Sequence, residues 1–124
     1  MTKQQFAKQF IAFLRQSPTP YHAVRQIKQE LQEIGFRELS ESQPWKLDAN
    51  QGYLVVRGGS SLIAFQTGSK AIQETGISMI GAHTDSPCLK VKNQPERSNN
   101  GYLTLTVEPY GGIILSSWFD RDLS

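Results

Sequence analysis

The hydrophobic period of this chain changes once, near Phe36, and that change sets the order of its elements. Before it, Phe6, Phe10 and Leu14 recur at i, i+4 and i+8 with Ile11 and Phe13 beside them. They form a helical stripe within residues 2–16 that faces a core. Ser17-Pro18-Thr19-Pro20 ends that helix, because proline lacks a donor and pushes its predecessor out of the helical region. Thr19 and Pro20 also suit the N-cap and first position of a second helix. That helix carries Val24, Ile27, Leu31 and Ile34 and stops where Gly35 takes the C′ position. Two helices joined by a tight corner are expected.

After Phe36 the texture is that of strands. Tyr53–Arg57 and Ser61–Gln66 flank Gly58-Gly59-Ser60 as a hairpin. Ile77–Ala82 reads as a short strand buried on both faces. Leu103, Leu105 and Val107 alternate with Thr104, Thr106 and Glu108, the pattern of a half-buried strand. The stretch from Ile113 to Leu123 is also extended in character, and it ends at Ser124 without a polar tail, as if cut from a larger fold. The expected class is α/β or α+β with the helices first.

Composition narrows the function classes. With 124 residues the chain fills one ordinary domain, and 38% hydrophobic and 10% aromatic residues can build a core, which excludes global disorder. No apolar run approaches the roughly 20 residues of a membrane helix, so no membrane partner is expected. Lys3, Lys8 and Arg15 are spread through the N-terminus without a small-residue cleavage site, so it reads as a helix and not as a signal peptide. The single cysteine, Cys88, excludes an intramolecular disulfide; with the rest, this favours the cytoplasm. The net charge is only +2, and Glu96 interrupts the densest basic cluster, Lys90, Lys92 and Arg97. These residues read as a solvated strand face, so no nucleic-acid partner is expected.

The chemistry concentrates in Ile80-Gly81-Ala82-His83-Thr84-Asp85-Ser86-Pro87. An apolar run leads into small residues and then presents His83 and Asp85 two positions apart, on one side of an extended backbone. Strand ends of this kind are where α/β sheets bind ligands. Two uses suit the pair. His83 is a metal ligand with Asp85 as second ligand or orienting carboxylate, or Asp85 orients His83 as a general base. The bland alternative is a His and an Asp that satisfy each other and nearby amides.

Ligand counting limits the metal reading. A catalytic zinc needs about three protein ligands, and the only N or S ligands here are His22, His83 and Cys88. His22 suits a helix start, and a lone Cys88 suits a small buried hydrophobe. Further ligands would have to come from beyond Ser124 or from another chain. Ser86 cannot line up with its neighbours His83 and Asp85 as a triad. Gly58-Gly59 and Gly111-Gly112 are turn signals and do not cradle phosphate. Trp118-Phe119-Asp120-Arg121-Asp122 reads as an aromatic pair under an ion pair, or as an interface anchor.

Four segments in order carry a resemblance. They are Ser17-Pro18-Thr19-Pro20-Tyr21-His22-Ala23-Val24, Gly81 to Lys92, Val107-Glu108-Pro109-Tyr110-Gly111-Gly112, and Trp118 to Ser124. Together they resemble the aspartyl aminopeptidase family of metal-dependent exopeptidases. The resemblance implies that His83 ligates one ion of a two-zinc (Zn2+) centre and that Asp85 is a supporting catalytic residue. It implies peptide substrates, with preferential release of acidic N-terminal residues, and a cytoplasmic homo-oligomer. It also implies that residues 1–88 are the N-terminal part of an α/β metallopeptidase catalytic domain and that 89–124 begin a β-rich second domain. The remaining metal ligands, the glutamate general base and a histidine from a neighbouring subunit would lie past Ser124. The expectation is thus the front part of a zinc aminopeptidase, inactive alone, with a truncated non-catalytic remnant or interaction module as the alternative.

Overall fold

Helix α1 (Lys3–Gln16) starts where Thr2 and Gln5 cap each other: Gln5 N–H donates to Thr2 Oγ1 at 3.2 Å, and Thr2 N–H donates to Gln5 Oε1 at 2.8 Å. Helix α2 (Pro20–Glu33) has Thr19 as N-cap and Pro20 in its first turn, as the corner motif predicts. Its end is a Schellman motif. Gly35 adopts φ +93°, its N–H reaches Gln32 O, and Phe36 N–H reaches Leu31 O, both at 3.0 Å. The structure, a computed structural model, describes residues 1–120.

The architecture is α+β. Strands β1 (Arg37–Glu38), β2 (Gly52–Arg57) and β3 (Ser61–Gln66) form one sheet in the order β1-β2-β3, with β1 parallel and β3 antiparallel to β2. A single helical turn α3 (Ile72–Thr75) follows. Strands β4 (Cys88–Asn99) and β5 (Tyr102–Tyr110) form a separate antiparallel ribbon, with a register shift between Val91 and Glu96, and a 3-10 turn covers Leu115–Ser117. The chain divides into two compact units, Met1–Asp85 and Ser86–Ser124.

The core of the first unit is Ala23 and Val24 from α2 with Tyr53, Leu54 and Val55 from β2. Tyr53 and Leu54 are almost wholly buried, worth roughly 1.5–3 kcal/mol each by area removed from water. They lie on opposite faces of the strand. Tyr53 packs on Phe65, which also stacks with Trp45, and its hydroxyl accepts Asp48 N–H at 2.7 Å, so the buried oxygen is satisfied. Leu54 shares a face with Val56, which lines a groove with Tyr21, Val24 and Lys28 of α2. Phe36 lies flat across Gly52, where an added Cβ would sit 2.7 Å from its ring.

Four expectations change. Residues 77–82 form no strand; Ile77, Met79 and Ile80 are exposed, Ile80 at 99%. A strand needs a ladder partner along at least one edge, and none of the described strands pairs with this run. The α1 stripe is helical as predicted, yet Phe6, Phe10 and Leu14 are each more than half exposed. Leu103, Leu105 and Val107 do lie in a strand, but a two-stranded ribbon offers no second layer for that face to enter. Leu115–Ser117 turns as a 3-10 helix where an extended run was expected. Trp118 and Phe119 are described, whereas Arg121 and Asp122 of the expected ion pair, and Leu123 and Ser124 of the fourth resembling segment, lie outside the described residues.

Gly52→Ala should destabilise the first unit by about 1–3 kcal/mol, the usual cost of overpacking, read as a lower urea midpoint at unchanged slope. An unchanged midpoint would mean that the Phe36 ring moves aside freely.

Candidate functional site

The β2–β3 hairpin supplies the platform. Its turn, Gly58-Gly59-Ser60, needs left-handed backbone at both glycines, with φ +59° and +72°. Ser61 Oγ closes the turn by donating to Arg57 O at 3.0 Å. Tyr21, at the start of α2, lies against Gly59, where an added Cβ would meet its ring at 3.3 Å. Outside the turn, the Arg57 guanidinium donates to both Glu41 oxygens. It thereby holds the Glu41 carboxyl below the usual carboxylate range, a contribution present above that range and lost as pH falls below it through the lowered value.

The His83-Thr84-Asp85 segment is tied to this hairpin. Thr84 Oγ1–H donates to Ser60 O at 2.8 Å, a half-buried bond across 24 positions of sequence. The backbone bends at Thr84, with His83 and Asp85 on either side of the bend. Their side chains still meet: His83 Nδ1 lies 3.6 Å from Asp85 Oδ1 and 2.6 Å from the Asp85 backbone oxygen. The His83 side chain is 79% exposed, against 46% for Asp85.

The shorter contact decides the tautomer. A backbone carbonyl can only accept, so Nδ1 carries the proton and neutral His83 keeps its lone pair on Nε2. That is how metal-binding histidines are commonly arranged, with one ring nitrogen fixed by an oxygen acceptor and the other turned to the metal. An imidazole nitrogen and a carboxylate are both zinc donor types. The pair therefore fits part of a zinc site. It does not fill one, because no group of three His, Cys, Asp or Glu side chains is placed to hold an ion among the described residues.

The other sequence candidates sit elsewhere. His22 takes up the α2 cap, with Nδ1 2.8 Å from Thr19 Oγ1 and its N–H donating to the same oxygen at 3.4 Å. Cys88 is exposed at the start of β4, opposite Tyr110, which is not the buried hydrophobe that a lone cysteine suggests. Gly58-Gly59 is a turn as read. Sequence reasoning did not single out Thr84 or Ser60. A threonine between two chemistry-bearing residues signals nothing until its partner, 24 positions away, is known.

Comparison with known proteins places the chain in a family. A family profile described as "Aminopeptidase I zinc metalloprotease (M18)" matches residues 13–124. The chain belongs to peptidase family M18. Its sequence is 51% identical over 114 residues to a probable M18 family aminopeptidase 2 of Stutzerimonas stutzeri, covering 92% of this chain and 27% of that protein. It is 47% identical over 122 residues to the corresponding protein of Ectopseudomonas mendocina, covering 98% of this chain and 28% of that one. The chain thus spans little more than a quarter of the length of these curated relatives.

Solved structures agree. The cryo-EM structure of the Ape4 and Nbr1 complex matches with TM-score 0.84 at 45% identity over 94% of this chain and 22% of that one. Chaetomium thermophilum mApe1 matches with TM-score 0.85 at 34% identity over 95% of this chain and 27% of that one. The Saccharomyces cerevisiae mApe1 dodecamer matches with TM-score 0.81 at 33% identity over 94% and 28%.

The tautomer is directly measurable. In metal-free, alkaline buffer, long-range 1H–15N correlation should show His83 protonated at Nδ1 with a lone pair at Nε2. The reverse assignment would remove the hydrogen bond on which this geometry rests.

Proposed function

We propose that this chain is the leading part of a zinc-dependent aminopeptidase that releases N-terminal residues from peptides, acidic ones by preference. The observation that carries the reading is the His83–Asp85 pair, at 3.6 Å, in a chain of the M18 family. In this reading His83 is a zinc ligand through Nε2, and Asp85 is the supporting catalytic carboxylate. Zinc, when bound, supplies Lewis-acid polarisation of the scissile carbonyl and makes a water acidic enough to attack near neutral pH.

The chain's own residues have narrower tasks. The Asp85 carbonyl holds a proton on His83 Nδ1, which keeps Nε2 free to donate. The Asp85 carboxylate sets a negative charge near the ring and strengthens that donor. Residues 1–88 are assigned to the catalytic domain, and 89–124, including most of the β4–β5 ribbon, to the start of a β-rich second domain. The second ion of a two-zinc centre, the further ligands and the general base are assigned to the part of the protein past Ser124.

Homo-oligomeric assembly and a cytoplasmic location complete the proposal, with peptides as substrates and no nucleic-acid or membrane partner. Among its structural relatives, S. cerevisiae mApe1 is a dodecamer. Among the described residues, no helix is long and apolar enough to cross a membrane. The 124 residues alone are proposed to be inactive, since their described part holds fewer than three ligands at any one point.

In the full-length protein, His83→Ala should abolish peptide hydrolysis, and Asp85→Asn should cost about 10–100-fold in metal affinity or activity. Chelation should remove activity and zinc should restore it. Wild-type turnover by His83→Ala would sink the assignment of His83. The isolated 124 residues, assayed with zinc on Asp-, Glu- and Leu-terminated peptides, should show no turnover. The full-length enzyme should favour the first two, and equal rates on all three would remove the acidic preference.

A further inference from the structure

Thr84 separates the two residues that carry the proposed chemistry, and its own side chain does something else. While His83 is mostly exposed, Thr84 is half-buried and directs its hydroxyl at the β2–β3 turn. The residues before it form no strand, and Ile77, Met79 and Ile80 lie open. No ladder along 77–82 therefore sets where His83 and Asp85 sit in the first unit. The bond from Thr84 Oγ1 to Ser60 O, at 2.8 Å, reaches from this segment to the sheet.

The acceptor is well placed for such a task. Ser60 follows two left-handed glycines in a turn closed by Ser61 Oγ on Arg57 O, so its carbonyl direction is set by the hairpin. Tyr21 backs the turn at Gly59, leaving no room for a Cβ without a shift. Contacts thus run from the start of α2, through the turn, to the residue between His83 and Asp85. A branched side chain is stiff at χ1, so the hydroxyl cannot swing without losing its partner.

We propose that Thr84 is a positioning residue for the metal-binding pair, acting through its hydrogen bond to the Ser60 carbonyl. The proposal rests on the reading of His83 as a zinc ligand. Thr84 touches neither metal nor substrate. Its hydroxyl fixes the bend that turns His83 Nδ1 onto the Asp85 carbonyl and leaves Nε2 outward.

The test compares Thr84→Val, which keeps the shape and removes the hydroxyl, with Thr84→Ser, which keeps the hydroxyl. Both are made in the full-length protein, beside His83→Ala. Zinc affinity is read by chelator competition, the ligand field by the visible bands of the cobalt-loaded protein, and stability by the melting point without metal. Thr84→Val should bind zinc about 10-fold more weakly, in the range of lost outer-shell partners. Its cobalt bands should shift, its metal-free melting point should hold, and Thr84→Ser should restore affinity and bands.

Wild-type zinc affinity and unshifted bands in Thr84→Val would overturn the proposal. Equal losses in Val and Ser, each matched by a lower melting point, would also overturn it and make Thr84 a packing residue. If Thr84→Val does not fold, Thr84→Ala removes the same hydroxyl and is read against the same Ser variant. Loss of zinc binding in His83→Ala with no effect in Thr84→Val sinks this inference alone. Retained binding in His83→Ala sinks the ligand assignment beneath it.

Discussion

The first unit depends on one strand covered on both faces and paired along both edges. Residues Gly52–Val55 of β2 are buried throughout, with β1 and β3 alongside, α2 over one face and the Trp45–Phe65 stack with Tyr53 on the other. The missing side chain at Gly52 is part of the same fit, because Phe36 occupies that space. What lies beyond the end of β2 inherits this rigidity. The Gly58–Ser60 turn is held where the strand puts it, and Thr84 hangs the His83–Asp85 segment from that turn.

Elsewhere apolar residues follow a period that the described residues answer only in part. Phe6, Phe10 and Leu14 stripe one side of α1, Met79 and Ile80 are open, and Leu103 and Leu105 stand on a ribbon without a second layer. The apolar area removed from water in the first unit is concentrated around α2 and β2. A hydrophobic pattern records burial, which depends on a partner as well as on the segment that carries it. The chain spans 27% of the length of its relative from S. stutzeri, and its pattern is richer in apolar faces than its own elements can cover.

The candidate site shows the same division between local and distant causes. Their two-residue spacing made His83 and Asp85 candidates for one site, but the 3.6 Å approach occurs across a bend and is not the product of strand alternation. That Nδ1 meets the Asp85 backbone oxygen requires the bend at Thr84, which two-residue alternation does not contain. His22 was readable as a helix-start residue because capping is local, and its ring and amide both meet Thr19. The β4–β5 turn at Asn100-Gly101, with positive φ at both positions, was missed in the sequence although it is a strong short hairpin signal.

By itself the sequence determined whatever acts within about one helical turn or one hairpin. That includes the Thr19 cap, the proline corner, the Gly35 stop and the Gly58–Ser60 turn. These depend on backbone sterics and on donors a few residues away. Only the tertiary structure decided that residues 77–82 lack a ladder, that Phe36 covers Gly52 and that Thr84 binds Ser60. Each of those outcomes needs groups far apart in the chain to meet. Local propensity is silent on such meetings.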